Sequence, residues 1–535
     1  MNLLGRVLTH DEEGFSFVTN TPLRAGEFVC YEDGGRHILS RVMHTTPLNQ
    51  YPEEFLLEPA TAPAGTAAFL GMEPERFGYL VTVCTVIGHF DKDLGEFCNP
   101  LTKPNTGDAV YLAPDEMLAS ISKVKPGTRG SANVGVVLGR KCPVVLSVKD
   151  IVSQHLSIIA ATGSGKSYTV GVLLEEIMGP ENRGAVLVFD PHGEYSTLTE
   201  LMNLDSMTKK DYRPVVKVIR PEDIKIRIRD MTFSDICAVM DDGNMSDKMR
   251  VLMHGVYEEV KQAFHEKRGN FTYDELRRAI QQNREARGED EATYTALLWR
   301  LQKLEPSPFS IFDDHMHQDL DEFFQIGQLT VLDMSGIEAG FQQLIAAVLL
   351  RRVFTARKDT VTKRNTPDSS SDKYLPYPVF IVLEEAHRFA PQNEEAKSKS
   401  MLKTVLSEGR KFGIGVCMIS QRPAKLDQDS LSQCMTQITM RIINPIDQGQ
   451  VAAALEALSR DLLDRLPSLA KGEAVISGMA INTPSIVKVR KRLTTHGGSD
   501  IDAPLEWSTG YCGHSGGKVE PDDDLDMDYL SKRKK

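Results

Sequence analysis

The sequence contains 535 residues, of which 41% are hydrophobic and 25% are charged, and its formal net charge is −12. These values are typical of a folded globular protein and exclude intrinsic disorder of the whole chain. A chain of this length is expected to form about two to four domains. The acidic balance argues against a protein that coats nucleic acid with its whole surface, although it allows a ring that holds a strand in its central hole.

The sequence predicts a cytoplasmic protein. Its longest apolar runs, such as Leu344–Leu350, are far shorter than the roughly 20 residues that a bilayer requires. The first residues show no pattern of a secretory signal. The eight cysteines are scattered without a CxxC pair, which favours reduced thiols over a disulfide framework or a zinc site.

Residues 1–148 are predicted to form a small β-barrel or sandwich. Short runs rich in Val, Leu, Ile and aromatic residues recur between clusters of Gly, Pro, Asn and Asp. No catalytic constellation is visible in this region, where His37, His44 and His89 are scattered. The predicted strands are Glu27–Tyr31, Ile38–Met43, Gly78–Val86, Ala109–Leu112, Val134–Leu138 and Val144–Val148.

Residues 149–498 are predicted to form an α/β domain. Near-continuous apolar runs alternate with helical periods, as in a parallel sheet whose strands are buried on both faces. Residues 228–324 favour a helical insertion, since Met253, Val256 and Val260 keep a period of 3.6 and Thr272 begins a capping-box pattern. The predicted strands are Leu156–Ala160, Ala185–Phe189, Val215–Ile219, Leu329–Leu332, Val379–Leu383 and Ile414–Ile419.

Two polar segments are predicted to be mobile. Lys358–Tyr374 contains three consecutive serines and is expected to form a loop. Residues 499–535 form a C-terminal extension that ends in an acidic cluster followed by Lys532–Lys535. This extension is expected to be a solvated tail, with a partner-binding arm as the alternative.

The strongest functional motif is Ala160–Ser167, which follows an apolar strand and opens a helix. Its glycines would let backbone N–H groups surround phosphates at a helix N-terminus, where the helix dipole favours negative charge. Lys166 would reach the β- and γ-phosphates, and Ser167 would offer its hydroxyl to Mg²⁺. Ala160 stands where the motif usually has its first glycine. The residues assigned to the nucleotide are Thr162, Gly163, Ser164, Gly165, Lys166, Ser167 and Tyr168, together with Asp190.

The second motif is an apolar strand that runs into two carboxylates, Glu384 and Glu385. Adjacent acids at the end of a buried strand are costly unless a cation or a positioned water requires them. The pair is typical of the Walker B element, in which the first acid holds the Mg²⁺ shell and the second polarises the attacking water. We therefore assign Glu384 to the metal together with Ser167, and Glu385 to catalysis as the base.

Four further residues are candidates with simpler alternatives. Asp190 and Glu194, at the end of a predicted strand and in the segment after it, are expected near the metal or the water, unless they only form a turn. Gln421 follows another strand end beside the expected γ-phosphate and is a candidate sensor, unless it is merely polar at a strand end. Arg410 is a candidate arginine finger for a neighbouring subunit, with a surface salt bridge as the alternative.

The chain resembles the HerA/FtsK superfamily of ring-forming, DNA-pumping ATPases, and in particular the HerA-type hexameric helicases. The residues that carry the resemblance are Ala161–Ser167, Asp190–Tyr195, Val382–Phe389, Glu408–Gly413, Ser420–Pro423 and Thr495–Gly498. It spans residues 1–498 and implies a RecA-like P-loop core, mostly a parallel sheet, with an N-terminal barrel and a helical insertion. By resemblance the catalytic residues are Lys166, Glu384, Glu385, Gln421 and Arg410. One departure is Gln154 before His155, where many relatives have an Arg; Arg140 is a possible substitute.

The resemblance implies a homohexamer that hydrolyses ATP with Mg²⁺ and threads duplex DNA through its pore. It also implies a partner that docks on the N-terminal barrel, either a NurA-like nuclease or, in antiviral defence pairs, a sirtuin-like NADase or another nuclease. Candidate pore contacts are Lys209, Lys210, Lys397, Lys399 and Lys403, for which solvated surface positions are the alternative. Two other functions stay open: a nucleotide-gated scaffold that activates an effector enzyme with little unwinding, and a membrane-associated conjugative or packaging ATPase, which the lack of an anchor weakens.

Overall fold

The fold was analysed in a computed structural model. It describes residues 2–10, 14–49, 78–91, 93–98, 100, 102–241, 245–266, 268–286, 291–307, 310–316, 318–367, 369–370, 372–454, 459–497, 503, 504 and 507. Residues 1–496 form one compact unit. Residues from Gly497 onward form a second, small unit, and the predicted acidic and basic tail lies outside the described residues.

The N-terminal strands form a closed antiparallel barrel of six strands, which confirms the predicted barrel. The order around the barrel is β2-β1-β7-β3-β4-β5, and pairing between β2 and β5 closes it. Its interior is filled by buried side chains such as Phe15, Phe17 and Tyr31. β6 pairs with β5, and its Phe97 packs against a hydrophobic cluster that includes residues of the large sheet. The strands are β1 (Leu3–His10), β2 (Gly14–Thr19), β3 (Phe28–Asp33), β4 (Arg36–Asn49), β5 (Gly78–Asp91), β6 (Glu96–Cys98) and β7 (Ala109–Leu112).

The remaining strands form one sheet of eleven strands. Its order is β12-β13-β11-β14-β15-β10-β16-β17-β18-β8-β9, and the seven strands from β12 to β16 in this order are parallel. The strands are β8 (Ser131–Val137), β9 (Pro143–Ser147), β10 (Leu156–Ile159), β11 (Ala185–Asp190), β12 (Val215–Ile219), β13 (Gln328–Asp333), β14 (Val379–Leu383), β15 (Ile414–Ser420), β16 (Thr436–Met440), β17 (Glu473–Gly478) and β18 (Ser485–Val489).

Strands β8 and β9 belong to this sheet and not to the barrel, contrary to the expected boundary at residue 148. β8 pairs antiparallel with β18, so the C-terminal strand of the core joins the β8–β9 hairpin to the large sheet. The sequence pattern of a hairpin strand is the same in a barrel and at a sheet edge, because only its local alternation is visible.

Helices cover both faces of the large sheet. Alternate residues of β11 enter two separate cores, with Leu187 and Phe189 on one side and Val186 and Val188 on the other. This two-sided burial explains the continuous apolar runs of the sequence. The α-helices of the described residues are α1 (Asp115–Leu118), α2 (Val148–Gln154), α3 (Lys166–Ile177), α4 (Phe233–Met240), α5 (Asp247–His265), α6 (Tyr273–Ala286), α7 (Glu291–Leu301), α8 (Leu320–Phe323), α9 (Ala339–Val361), α10 (Lys399–Glu408), α11 (Gln428–Ser432), α12 (Pro445–Ala454) and α13 (Arg460–Leu463).

The helical insertion lies between β12 and β13 and contains α4 to α8. Met253, Val256 and Val260 of α5 are buried in the core, in agreement with the predicted period. The hydroxyl of Thr272 accepts a hydrogen bond from the Glu275 N–H at 3.4 Å, so it caps α6 as predicted.

The polar segment after α9 is held more firmly than predicted. Lys358 lies within α9, which continues to Val361. Farther along, Asp372 pairs with Arg227 and with Arg352, the latter at 2.5 Å. The charges of these two arginines hold the pKa of the buried Asp372 at about 2, against the effect of burial. The ion pairs connect this segment to the helical insertion, a long-range link that local polarity does not reveal.

The barrel is joined to the core by a buried arginine. Arg41 of β4 donates to Asp461 of α13 at 2.9 Å, to Ser459 at 2.9 Å and to the Pro484 carbonyl at 3.0 Å. Its side chain is only 4% exposed, so this ion pair is shielded from water. Among the described helices none is long and apolar enough to cross a bilayer.

Candidate nucleotide-binding and hydrolysis site

The loop between β10 and α3 is shaped to surround an anion. Gly163 and Gly165 have φ angles of 76° and 101°, values that residues with a Cβ rarely adopt. The Ser164 hydroxyl donates to the Ala161 carbonyl at 2.6 Å and tightens the loop. Ala160 is fully buried, so the methyl group that replaces the usual glycine is accommodated. The loop ends at the N-terminus of α3, where unpaired N–H groups favour negative charge.

Lys166 begins α3 and is bonded to both predicted acids. Its ammonium group donates to Oε1 of Glu384 and, at 2.8 Å, to Oε1 of Glu385. The Lys166 side chain is only 5% exposed. Burial alone would lower the pKa of Lys166, but the two carboxylates outweigh it and raise this pKa above its usual value. The lysine therefore stays charged at the centre of the site.

Glu384 is the deeper of the two acids and is completely buried at the end of β14. The Tyr195 hydroxyl, also completely buried, donates to its Oε2 at 2.9 Å. Burial raises the pKa of Glu384 to about 7, although the charge of Lys166 opposes this effect. Glu384 therefore accepts hydrogen bonds from two fixed groups, Lys166 and Tyr195. Its burial makes ionisation costly, and a nearby cation would offset that cost.

Glu385 differs from Glu384 in backbone conformation and in charge. Its φ of 51° places it in the left-handed region, a strained conformation that occurs often at functional sites. Its Oε2 lies 3.2 Å from Nδ1 of His387, which also contacts the Ser420 hydroxyl at 3.1 Å. Burial alone would raise the pKa of Glu385, but His387 and Lys166 outweigh it and lower this pKa to about 2. Glu385 is therefore ionised beside a second carboxyl group that resists ionisation.

Three further contacts complete the site. The Ser167 hydroxyl donates to Oε2 of Glu194 at 2.5 Å. The Thr162 hydroxyl donates to Oε1 of Gln421 at 2.7 Å, which places the residue after β15 against the loop. Tyr168 accepts a hydrogen bond at its hydroxyl from the Arg492 backbone N–H at 2.6 Å.

Asp190 organises its own loop and makes no contact with the P-loop among the described residues. Its carboxylate accepts hydrogen bonds from the N–H groups of Gly193 at 2.9 Å and Tyr195 at 3.0 Å. These bonds favour the turn alternative for Asp190, while the same segment reaches the P-loop through Glu194. Short polar side chains at strand ends commonly bond backbone groups two or three residues ahead, and sequence cannot separate this use from ligand binding.

Arg410 lies away from the P-loop of its own chain. It precedes the N-terminal end of β15, whereas the P-loop meets the opposite end of that strand at Ser420. The seven-residue strand separates the two by about 20 Å, farther than an arginine reaches. Arg410 is exposed, and its guanidinium makes no hydrogen bond or ion pair with any residue that the structure describes.

Several other basic candidates have partners within the chain. Arg140 donates to the Ala113 carbonyl at 2.7 Å and to Asp115 at 2.8 Å, so it braces the junction after the barrel. Lys399 and Lys403 pair with Asp427 at 3.3 and 3.1 Å. Lys209 pairs with Glu181, and Lys397 lies over the Phe341 ring at 5.9 Å. For these four lysines, the contacts favour the alternative of a surface position over a pore contact.

Tyr195 and His387 are site residues that the sequence analysis did not assign. Both lie inside the quoted motifs, at the end of Asp190–Tyr195 and two residues after Glu385. A tyrosine next to a turn usually indicates packing, and its role as a donor to Glu384 depends on a strand 189 residues away.

The donor set fits a magnesium ion. Ser167 and Glu194 are bonded to each other, and Glu384 is bonded to the adjacent Lys166, so hydroxyl and carboxylate oxygens lie near the start of α3. Oxygen ligands of this kind are those that Mg²⁺ prefers in proteins, usually together with substrate phosphates.

A parallel sheet with a P-loop after one central strand and paired acids after a nearby strand defines a P-loop ATPase. Residues 132–353 match the family model described as the central domain of the helicase HerA. The "DNA double-strand break repair helicase HerA" of Sulfolobus acidocaldarius is 30% identical, covering 77% of this chain and 79% of that protein. The "Probable DNA double-strand break repair helicase HerA" of Methanocaldococcus jannaschii is 31% identical over 74% of this chain and 83% of that protein.

The chain therefore belongs to the HerA family of helicases and is an ATPase. The Pyrococcus furiosus "DNA double-strand break repair helicase HerA" is 28% identical and covers 92% of this chain, so the likeness extends to the barrel. Among solved structures, VirB4 of Thermoanaerobacter pseudethanolicus superposes with a TM-score of 0.47 at 14% identity and covers 69% of this chain.

Proposed function

We propose that this chain is the motor subunit of a homohexameric ring that hydrolyses ATP with Mg²⁺ and moves along duplex DNA in its central hole. The observation that supports this proposal best is the Lys166 ammonium group bonded to both Glu384 and Glu385 at the mouth of the P-loop. A lysine at this position is the cation that a triphosphate would engage, and the acids are the groups that would act on a metal and a water.

Nucleotide binding would redistribute the contacts of Lys166. The β- and γ-phosphates of ATP compete with the two carboxylates for its ammonium group. When Lys166 leaves, Glu385 loses one of the two neighbours that lower its pKa, and its Oε1 becomes free to accept a hydrogen bond from water. Glu385 would orient that water towards the γ-phosphate, with His387 fixing the other carboxylate oxygen.

Ser167, Glu384 and Glu194 would hold Mg²⁺. When bound, this ion supplies charge neutralisation at the phosphate oxygens. Burial has already raised the pKa of Glu384, so the carboxylate gains most from a nearby cation. Gln421, bonded to Thr162 of the loop, would respond to the γ-phosphate and transmit its loss to β15.

A second subunit would complete the site with Arg410. This arginine is exposed at the opposite end of β15 from its own P-loop, so in a ring it would act on the nucleotide of a neighbouring chain. A guanidinium at the γ-phosphate stabilises the charge that develops in the transition state. This requirement for a neighbour favours a ring over an isolated subunit.

The barrel is the proposed docking site for a partner enzyme. No nuclease constellation was found in the sequence, so DNA cutting would come from a NurA-like nuclease, or from a defence effector such as a sirtuin-like NADase or another nuclease. The barrel is closed on itself and is held to the core by Arg41 and by buried residues such as Phe28 and Leu39. A partner on this surface would leave the nucleotide site accessible.

The test measures the particle mass and the ATP hydrolysis rate of the purified chain, with and without linear duplex DNA. A motor predicts a hexameric mass and a rate that duplex DNA increases severalfold. A hexamer with slow hydrolysis that ignores DNA would instead support the nucleotide-gated scaffold. A monomer that hydrolyses ATP at the full rate would contradict the role given to Arg410.

A further inference from the structure

The segment after the last core strand, Arg490–His496, folds back over the start of helix α3. Glu175 of α3, which is completely buried, anchors it. One Glu175 oxygen accepts hydrogen bonds from the N–H groups of Leu493 and Thr494 and from the Thr494 hydroxyl, each at 2.9 Å. The other oxygen accepts from Arg490 at 2.9 Å. A buried carboxylate with four donors fixes the course of this segment.

Arg492 fixes the same segment closer to the P-loop. Its side chain is 1% exposed and lies against Gly171, where a Cβ would stand 2.6 Å from the guanidinium carbon. The guanidinium donates to the Thr494 hydroxyl at 2.7 Å, and the Arg492 backbone N–H donates to the Tyr168 hydroxyl at 2.6 Å. Gly171 therefore leaves the space that lets the segment contact the first turns of α3.

The result is a pair of rings beside the phosphate loop. His496 meets Tyr168 edge to face, with ring centroids 6.1 Å apart and an angle of 69° between the planes. His496 is exposed and Tyr168 is half-buried. Tyr168 directly follows Ser167, so its ring is the first side chain beyond the residues that surround the phosphates.

We infer that the Tyr168–His496 pair is the surface on which the base of the bound nucleotide lies, and that Glu175 and Arg492 are positioning residues for it. The inference rests on the proposed function, since it assumes that the P-loop holds ATP. The C-terminal segment thereby supplies part of the site from the same chain, in addition to the P-loop and the two acids.

Three physical points support this assignment. The loop and the start of α3 bind only phosphates, so the nucleoside must extend beyond them. Aromatic side chains bind bases through their flat faces, with little dependence on hydrogen-bond pattern. The pair is also held on both sides, by Arg492 at the Tyr168 hydroxyl and by Glu175 along the segment, so little ordering is needed when a base arrives.

The test compares two probes that share phosphates and differ in the base. Calorimetry would measure the affinity of the purified chain for the non-hydrolysable analogue AMPPNP and for inorganic tripolyphosphate. His496→Ala is expected to weaken AMPPNP binding about fivefold and to leave tripolyphosphate binding unchanged. His496→Phe keeps an aromatic ring and should restore AMPPNP affinity, whereas Leu493→Ala, at a residue 48% exposed in the same segment, should change neither.

Gly171→Ala tests the positioning role, because its methyl group would displace the Arg492 guanidinium. It should reproduce the selective loss of AMPPNP affinity without changing tripolyphosphate binding. Unchanged AMPPNP affinity in His496→Ala, or an equal loss for both probes, would overturn the inference while leaving the proposed function intact. If the wild-type chain bound neither probe, the proposed function itself would fail, and this inference with it.

Discussion

The ammonium nitrogen of Lys166 lies 2.8 Å from Oε1 of Glu385, the carboxylate proposed to act on water. In this arrangement the base is neutralised by the cation that ATP is expected to engage. Binding of the triphosphate would therefore do two things at once, by drawing Lys166 to the phosphates and exposing Glu385. The contact gives a physical reason why a subunit without ATP holds its site in an inactive form.

Lys166→Met should destabilise the nucleotide-free protein as well as abolish ATP binding. The substitution keeps the aliphatic stem but leaves Glu384 and Glu385 buried without their cation, which should lower the free energy of unfolding by about 3 kcal/mol. Urea denaturation at neutral pH without nucleotide measures this effect. Adding Glu385→Gln should recover much of the loss, because Glu385 is the ionised acid of the pair and the substitution removes its unpaired charge. A Lys166→Met variant as stable as the wild type would refute the pairing.

Arg410→Ala should reduce ATP hydrolysis by about 10³-fold without changing ATP affinity, because the residue lies too far from its own P-loop to bind that nucleotide. Mixing Arg410→Ala subunits with Lys166→Met subunits should restore part of the rate, since some interfaces then combine an intact P-loop with an intact arginine. Steady-state hydrolysis across mixing ratios measures the rescue. Lys411→Ala, at the adjacent exposed residue, is the control; mixtures with no gain would argue against action between subunits.

His155 should make the protein less stable in mild acid. Its ring joins two core elements, since Nδ1 accepts from the Val416 N–H at 3.1 Å and Nε2 contacts the Leu406 carbonyl at 2.9 Å. Burial lowers the pKa of His155 from 6.5 to about 4. The unfolded chain therefore binds the proton first, and stability falls as the pH drops from about 6.5 towards 4.

Protonation of His155 should account for about 3 kcal/mol of the acid-induced loss in the free energy of unfolding. Urea midpoints at a series of pH values would reveal it. His155→Asn, which keeps a polar side chain and removes the titrating ring, should flatten the curve between pH 6.5 and 4 while lowering stability at pH 7. A variant with the same slope as the wild type would show that the acid sensitivity arises elsewhere.

Arg41→Ala should weaken the attachment of the barrel to the core. The change leaves Asp461, with a side chain only 9% exposed, without its partner, at a cost of about 3 kcal/mol. Urea denaturation should show the barrel unfolding before the core. Arg36→Ala, which removes an exposed arginine of the same strand, is the control. This variant and the wild-type protein should both show a single unfolding transition.

The sequence predicted the parallel strands closely. The observed β12 and β14 have the predicted bounds, Val215–Ile219 and Val379–Leu383. For β14 the reason is that a strand buried on both faces must be apolar at every position. The residues of the P-loop were also predictable, since the φ angles above 70° at Gly163 and Gly165 demand glycine. The place of β8 in the large sheet was not predictable, because its pairing with β18 joins segments separated by more than 300 residues.

Site residues were predictable where residue type and spacing together form one recognisable motif. Glu384 and Glu385 could be found because two acids after five apolar residues are rarely tolerated without a function. The sequence could not reveal that Tyr195 bonds to Glu384 or that Asp190 bonds within its own loop. Each contact depends on which atoms the fold brings together. The same holds for Glu175, which reads as one more charged residue of a helix until the C-terminal segment folds onto it.

The most direct test of the central claim is the ATP hydrolysis rate of the purified chain with linear duplex DNA, compared with that of Glu385→Gln. The substitution preserves the shape of the side chain and removes its basicity. The account predicts that duplex DNA stimulates the wild type, that Glu385→Gln loses at least about 10²-fold in rate with or without DNA, and that it still binds ATP. A variant that hydrolyses ATP at the wild-type rate, or a wild type indifferent to DNA, would contradict it.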